Sequence, residues 1–242
     1  KVDTGMGRLG VFPQEATSLT REISNIPGVL LEGLFTHFAR ADELDPNTSD
    51  LQEQIFKRVI AELNKEDIRP PIVHAANSAT SLTRPSAYLD MLRLGISMYG
   101  LHPSPVCPNP EGIGPALTWK SVLSQVKTLP PGSGVSYGHE YITQGHERVG
   151  TIPIGYADGF RRTGGNHVLV AGRPVAVIGR VCMDQIMVQL DEVPQSRAGD
   201  TVVILGEQGS NRITAEDIAK TWNTINYEVV CAIGARVPRI YI

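Results

Sequence analysis

Apolar positions in the first hundred residues alternate between two periods. "PQEATSLTREISNI" carries them at helical spacing, and "GVLLEGLFTHF" follows as a compact apolar run of strand length. The stretch "NTSDLQEQIFKRVIAELNKEDI" predicts a second helix, capped by Thr48 or Ser49, with Leu51, Ile55, Val59, Ile60 and Leu63 on its apolar face. Another short strand is expected in "PPIVHAAN", and "LRLGISMYGL" reads as a further strand-like segment. Strands and helices in regular succession imply parallel strands joined by right-handed crossovers. About four such strands cannot close an eight-stranded (β/α) barrel, which takes roughly 200 residues or more.

Beyond residue 103 the pattern changes. "HPSPVCPNPEGIGP" is a Pro/Gly-rich connector, and after it short β-branched runs are cut by Gly and Pro: "RVGTIPIGY", "HVLVAGRPVAVIGRV", "IMVQL", "TVVILG" and "RVPRIYI". One helix interrupts them, "TAEDIAKTWNTI", with Thr214 as its cap. The expected organisation is α/β plus β: an alternating part over residues 1–103 and a mainly β domain over 104–242, without internal repeats or low-complexity tracts.

Composition narrows the class. The 242 residues are 41% hydrophobic and 19% charged, with a formal net charge of -3, so the chain can bury a core and offers no basic field for nucleic acid. No apolar run approaches the roughly 20 residues that span a bilayer, and no leader precedes the first segment. A cytoplasmic protein without membrane or nucleic-acid partners is therefore expected. Cys107, Cys182 and Cys231 match no disulfide framework and no zinc spacing, so they read as reduced, mostly buried thiols, and no metal site is expected.

Polar residues cluster at the expected strand ends, where α/β barrels place their chemistry: His37 after "GLFT", Asn77 and Ser78 after "VHAA", and Arg93, Gly95 and Ile96 around "RLGI". Each has a plainer reading. A histidine beside an aromatic is commonly a hydrogen-bonded structural residue, and "NSAT" could be a helix cap. In the β part, Tyr137 in "GVSYGHEY" and Tyr156 in "PIGYADGFRR" lie in glycine-flanked loops, and "GRVCMDQ" puts Met183 and Asp184 at a turn. A loop tyrosine is usually a packing or hydrogen-bonding group, and "MDQ" could be an Asx turn.

Together, "KVDTGMGRLG", "THFARADE", "ANSAT", "RLGISMYGL", "VSYGHEY", "IPIGYADGFRR", "GRVCMDQ" and "NYEVVCAIGARVPRIY" resemble, in order and over nearly the whole chain, the signature segments of the alanine racemases. These pyridoxal-phosphate enzymes interconvert L- and D-alanine, a source of D-alanine for peptidoglycan. The resemblance implies the second half of a (β/α)8 TIM-type barrel followed by a mainly β C-terminal domain. It also implies that "KVDTG" is an internal strand, and that the stretch bearing the Schiff-base lysine is missing ahead of Lys1.

The remaining implications are residue by residue. Tyr137 matches the catalytic tyrosine that serves the partner subunit's barrel, implying a homodimer with shared active sites. His37 and Arg93 match groups hydrogen-bonded to that tyrosine, and Arg93 also faces the pyridine nitrogen. Arg8 matches a residue at the cofactor's phenolic oxygen and the substrate carboxylate, and Lys1 a lysine that is carbamylated in many members, where it supports that arginine. Ser78, Gly95 and Ile96 match phosphate ligands, with Asn77 shaping their loop. Met183 matches a carboxylate-binding backbone N–H, with Asp184 and Tyr156 supporting it. Ala235 departs from the pattern, because a tyrosine commonly precedes "RVPR" in the family. That change leaves room for serine or larger substrates, so a broad-specificity racemase and a catalytically incomplete fragment stand as alternative readings.

Overall fold

The computed structural model describes all 242 residues, Lys1–Ile242, which fall into two compact units, Lys1–Gly114 and Pro115–Ile242. The connector read from its prolines packs with the first unit. Cys107 is buried there, and the Asn109 side chain donates to the Leu101 carbonyl at 3.1 Å.

In the first unit, Val2 bridges Val11 in parallel, and its N–H donates to the Phe35 carbonyl at 2.9 Å. Helix α1 (Pro13–Ser24) starts with proline at its first position, where the missing N–H costs nothing, and Glu15 accepts from the Phe12 N–H. Strand β1 (Gly33–Phe35) leads to helix α2 (Asn47–Lys65), which returns to strand β2 (Ile72–His74). β1 and β2 pair in parallel with Phe35 opposite His74. Then come the short helix α3 (Ser78–Thr83), a bridge from Met91 to His74, and a 3₁₀ turn over Ile96–Tyr99.

Three expectations need correction here. Helix α2 begins at Asn47 behind Pro46, with no side-chain cap, so Thr48 and Ser49 lie inside it. Its buried face is Ser49, Gln52, Glu53, Phe56, Val59 and Leu63, while Leu51 is 55% exposed. The face is rotated because Gln52 and Glu53 are buried by hydrogen bonds and ion pairs, which hydrophobicity does not register. "LRLGISMYGL" is not a strand either. Gly95 and the left-handed Gly100 bracket a 3₁₀ turn whose Ile96 and Ser97 point inward.

The second unit is built on an eight-stranded sheet. Its members are β3 (Trp119–Val122), β4 (Gln125–Leu129), β7 (Glu147–Ile152), β8 (His167–Val170), β9 (Arg173–Ile178), β10 (Ile186–Gln189), β11 (Thr201–Gln208) and β12 (Asn211–Ile213). They run in the order β12-β11-β8-β9-β10-β7-β4, with β3 paired to β11, and every pairing is antiparallel. Strands β5 (Gly134–Val135) and β6 (Tyr141–Ile142) form a separate hairpin. In β11 the run Val202–Leu205 is buried throughout, as a strand covered on both faces must be. Helix α4 (Ala215–Trp222) has the expected Thr214 cap, reciprocated by Asp217. Its Trp222 packs edge-on against Phe160 and donates to the buried Asn166 at 2.8 Å.

Two further readings change. A helix, α5 (Asn226–Ala232), occupies "NYEVVCA", and "RVPRIYI" is an exposed tail instead of a strand. Arg239 explains the tail's course: its guanidinium donates to the carbonyls of Ile233, Gly234 and Val237, so those groups satisfy no strand partner. Among the thiols, all free, Cys107 is buried, Cys182 half-buried and Cys231 exposed, so "mostly buried" is incorrect.

The rotated face of α2 yields a test. Leu63→Ala should cost about 2–5 kcal/mol in denaturant unfolding, because Leu63 is wholly buried. Leu51→Ala should stay within about 0.5 kcal/mol. Equal losses would contradict the observed face.

Candidate active site

The first unit gathers its chemistry around one guanidinium. Arg93 leaves the end of the Met91 bridge, and its backbone N–H donates to the Ala76 carbonyl at 2.9 Å. Nη1 donates to His74 Nδ1 at 2.5 Å. Nη2 reaches the Thr36 carbonyl at 3.0 Å, the Ala75 carbonyl at 3.1 Å and His37 Nδ1 at 3.2 Å. The guanidinium also lies 5.4 Å from the Phe35 ring centroid, and Phe35 stacks on His74 with rings 2° from parallel. No carboxylate pairs with it. Burial pushes the Arg93 pKa down from its usual value, yet an arginine stays charged and only donates.

That one-way chemistry sets the tautomers. Both Nδ1 atoms must accept, so each imidazole carries its proton on Nε2. Burial, then the Arg93 charge, holds both histidines below the ordinary 6.5, and Arg8 and Lys1 act on His37 in the same direction. His37 is thus a neutral Nε2–H donor near pH 7. The residue is fixed from behind by buried Gln52, whose Nε2 donates to the His37 carbonyl at 3.1 Å and to Thr4 Oγ1 at 3.2 Å. Its Oε1 accepts from the Ala39 N–H. Thr4 and Thr36 share a 2.7 Å hydroxyl contact in the same network.

Arg8 sits at the tip of a loop that Asp3 organises. Asp3 Oδ1 accepts from the N–H groups of Gly5, Met6 and Gly7, which hold its carboxyl below the usual range. Gly10 closes the loop at φ +113°, where a Cβ would stand 2.7 Å from the Lys1 carbonyl oxygen. Arg8 is exposed, and Lys1 Nζ lies 5.9 Å from the Phe35 ring centroid.

Beside Arg93 lies a hydroxyl-rich corner. Asn77 caps α3 by accepting from the Thr80 N–H, so the plainer reading of "NSAT" holds. Ser78 Oγ accepts from the N–H of Gly95 at 2.8 Å and of Ser97 at 3.4 Å. A Cβ on Gly95 would meet only Ser78 Oγ, at 3.6 Å. The hydroxyls of Thr80, Ser81 and Ser97 are buried without a hydrogen-bond partner.

The second unit holds its candidates on linked loops. Tyr137 stands between β5 and β6, 69% exposed, and its hydroxyl meets nothing in the chain. Tyr141, four residues on, donates to Glu147 at 2.5 Å, and burial and that carboxylate push it up to about 12. Of the pair, only Tyr137 has a hydroxyl without a hydrogen bond inside the chain. Met183 and Tyr156 are brought together by backbone: the Tyr156 N–H donates to the Cys182 carbonyl and the Ala157 N–H to that of Met183. Gly155 is required for this approach, since a Cβ there would stand 2.2 Å from the Met183 oxygen. Asp184 pairs with Arg236, which also holds Asp158 at 2.6 Å, and Ala235 is exposed beside it.

The structure thus brings His37, Arg93, Asn77, Ser78, Gly95 and Ile96 into one unit with Arg8 and Lys1. Met183, Asp184 and Tyr156 come together in the other, with Tyr137 on its hairpin. Sequence reasoning missed His74, Gln52, Thr4 and Thr36. Only His74 left a signal, as a polar residue inside the run "IVHAA".

Comparison with known proteins follows the same division. The family described as alanine racemase, N-terminal domain, matches residues 1–103, and alanine racemase, C-terminal domain, matches 116–241. The alanine racemase of Halothermothrix orenii is 48% identical over all of this chain, which covers 64% of that protein. That of Listeria monocytogenes serotype 1/2a is 45% identical, again over the whole chain, with 66% of it covered. Among solved structures, alanine racemase from E. faecalis is similar with a TM-score of 0.93 at 41% identity, covering 99% of this chain and 64% of that one. The Bacillus anthracis enzyme with bound L-Ala-P gives 0.92 at 39%, over 99% and 63%. The chain therefore spans slightly less than two thirds of several of the relatives it matches.

The two depressed histidines give a stability prediction. Above pH 6.5 both are neutral folded or unfolded; as pH falls through 6.5 the unfolded chain takes up protons first. Thermal stability should therefore drop between pH 7.5 and 5.5, and His74→Asn, which keeps an acceptor for Arg93 without titrating, should shrink the drop. A melting temperature that rises on acidification would contradict the assignment.

Proposed function

This chain belongs to the alanine racemase family, and on that footing we propose that it provides the cofactor cradle and acid-base groups of a racemase interconverting L- and D-alanine. The solved relatives support a barrel domain followed by a mainly β domain, and the finer reading is the second half of a (β/α)8 barrel over residues 1–103, with the connector packed on it and the β domain from Pro115 onward. On the family pattern, a lysine ahead of Lys1 would hold the cofactor and act as the second base. The active molecule is a cytoplasmic homodimer in which each barrel is served by Tyr137 of the partner subunit, and its product feeds peptidoglycan synthesis. No helix here is long and apolar enough to cross a membrane.

Pyridoxal phosphate fits the residues present. Its phosphate needs donors, and the Ser78 hydroxyl, against the N–H groups of Gly95 and Ser97 and beside the partnerless Ser97 hydroxyl, offers them. Arg93, which can only donate, would be the partner of its ring nitrogen and would favour the unprotonated form. When bound, the cofactor supplies the electron-withdrawing ring that lets the substrate's α proton leave.

The protein's own groups do the rest. Racemisation requires proton transfer on opposite faces of one carbon, hence two bases. A free phenol near pKa 10 is a weak base at neutral pH. The neutral His37, held by Arg93, donates from Nε2 to the phenolate of the partner's Tyr137 and stabilises it, while the Arg93 charge adds to the effect. Arg8 and the Met183 N–H of the partner subunit orient the substrate carboxylate, and Asp184 and Tyr156 hold the Met183 turn on that β domain. Carbamylated, Lys1 would turn from a cation that repels Arg8 into an anion that supports it. The carrying observation is Arg93 itself, a half-buried cation with a histidine on each side and no carboxylate.

Tyr137→Phe in the complete enzyme tests this reading. Racemisation should fall by about 10²- to 10⁴-fold. Exchange of the α hydrogen with solvent deuterium should be lost for one enantiomer and kept for the other, because the lysine's face still works. Equal loss for both enantiomers would exclude a two-base division of labour.

A further inference from the structure

Tyr137 presents a puzzle of orientation. Its side chain is 69% exposed and its hydroxyl makes no hydrogen bond within the chain, so the backbone on either side largely sets its direction. The residue before it, Ser136, has φ 62° and ψ −173°, a region that is essentially reserved for glycine. A glycine there would follow the same path without strain. Serine adds a hydroxyl, and that hydroxyl is used: Ser136 Oγ donates to the Arg180 carbonyl at 2.6 Å and lies 3.3 Å from Cys182 Sγ.

The anchor's destination gives it meaning. Residues 180–182 run directly into Met183 and Asp184, and Arg180 also pairs with Glu140 on the far side of the Tyr137 turn. The hairpin has no slack around this point. A Cβ on Gly134 would stand 2.2 Å from the His139 ring, and one on Gly179 would stand 2.6 Å from the Val135 oxygen.

We propose that Ser136 is a positioning residue that, through its hydroxyl on the 180–182 segment, fixes the Tyr137 phenol relative to the Met183 turn. The inference rests on the reading of Tyr137 as an acid-base group and of Met183 as a carboxylate site. Its content is that a strained serine is kept where glycine would be easier because the hydroxyl ties the proton-transferring group to the substrate-orienting loop.

Ser136→Gly and Ser136→Ala separate this from a purely structural role. Glycine removes strain and anchor together, so the thermal midpoint should equal or exceed that of the wild type. Amide hydrogen exchange at Tyr137 and Gly138 should nonetheless accelerate, and kcat should fall about tenfold or more with KM within twofold. Alanine keeps the strain without the anchor, so its midpoint should fall while kcat drops similarly. Ser136→Gly with wild-type exchange at Tyr137 and wild-type kcat would overturn the proposal. Exchange is measured on the 242-residue chain and turnover on the complete enzyme. Faster exchange in a protein that never racemises alanine would therefore sustain the anchor while refuting the function on which it rests.

Discussion

A guanidinium without a carboxylate organises the first unit. Arg93 is half-buried among two histidine nitrogens and two carbonyl oxygens, and because a guanidinium only donates, all four accept from it. Taking a charge even partly out of water is costly, and here hydrogen bonds and an aromatic face offset the cost. The arrangement draws together the ends of β1 and β2 and the turn after Met91, since Thr36, His37, His74 and Ala75 all converge on one side chain. Burial first, and then the Arg93 charge, holds His37 and His74 below the ordinary 6.5. A carboxylate in place of either histidine would neutralise the charge and remove what the proposed function needs, a permanent donor at the base of the site.

The second unit reaches order by another route. Its catalytic candidates are exposed, and close backbone approach aligns them. Gly155 lets the Tyr156 loop contact the Met183 carbonyl, and Gly159 does the same against Ala232, where a Cβ would stand 2.0 Å from its oxygen. Arg236 then joins Asp158 to Asp184, so the tail after α5 holds both loops. Exposed groups on rigid loops suit a surface that completes a site elsewhere. This agrees with the proposal that Tyr137 serves a partner subunit.

How far the sequence disclosed this can be judged element by element. Helix α1, the Thr214 cap and strands β7 to β11 followed from period and turn residues, because each signal is local; β12 (Asn211–Ile213) gave no such run. Helix α2 was found, but its buried face was misread, because Gln52 and Glu53 are buried by partners far away in the chain: Thr4 and His37 for one, Arg84 for the other. The segment after Arg93 looked like a strand because its apolar residues are contiguous, although Gly95 and Gly100 turn it. The tail "RVPRIYI" has strand composition, yet its arginines are committed to carbonyls and carboxylates. Site residues at strand ends were legible as polar interruptions. The partner that matters most to Arg93, His74, lay inside a strand and gave only a faint signal.

The most direct test of the account is the nitrogen-15 spectrum of the two imidazoles at pH 7 in the folded chain. The account requires both His37 and His74 to be neutral, with the proton on Nε2 and Nδ1 accepting from Arg93. A proton on Nδ1 of either ring, or a doubly protonated ring, would mean that Arg93 does not donate to both. The central claim would then fail.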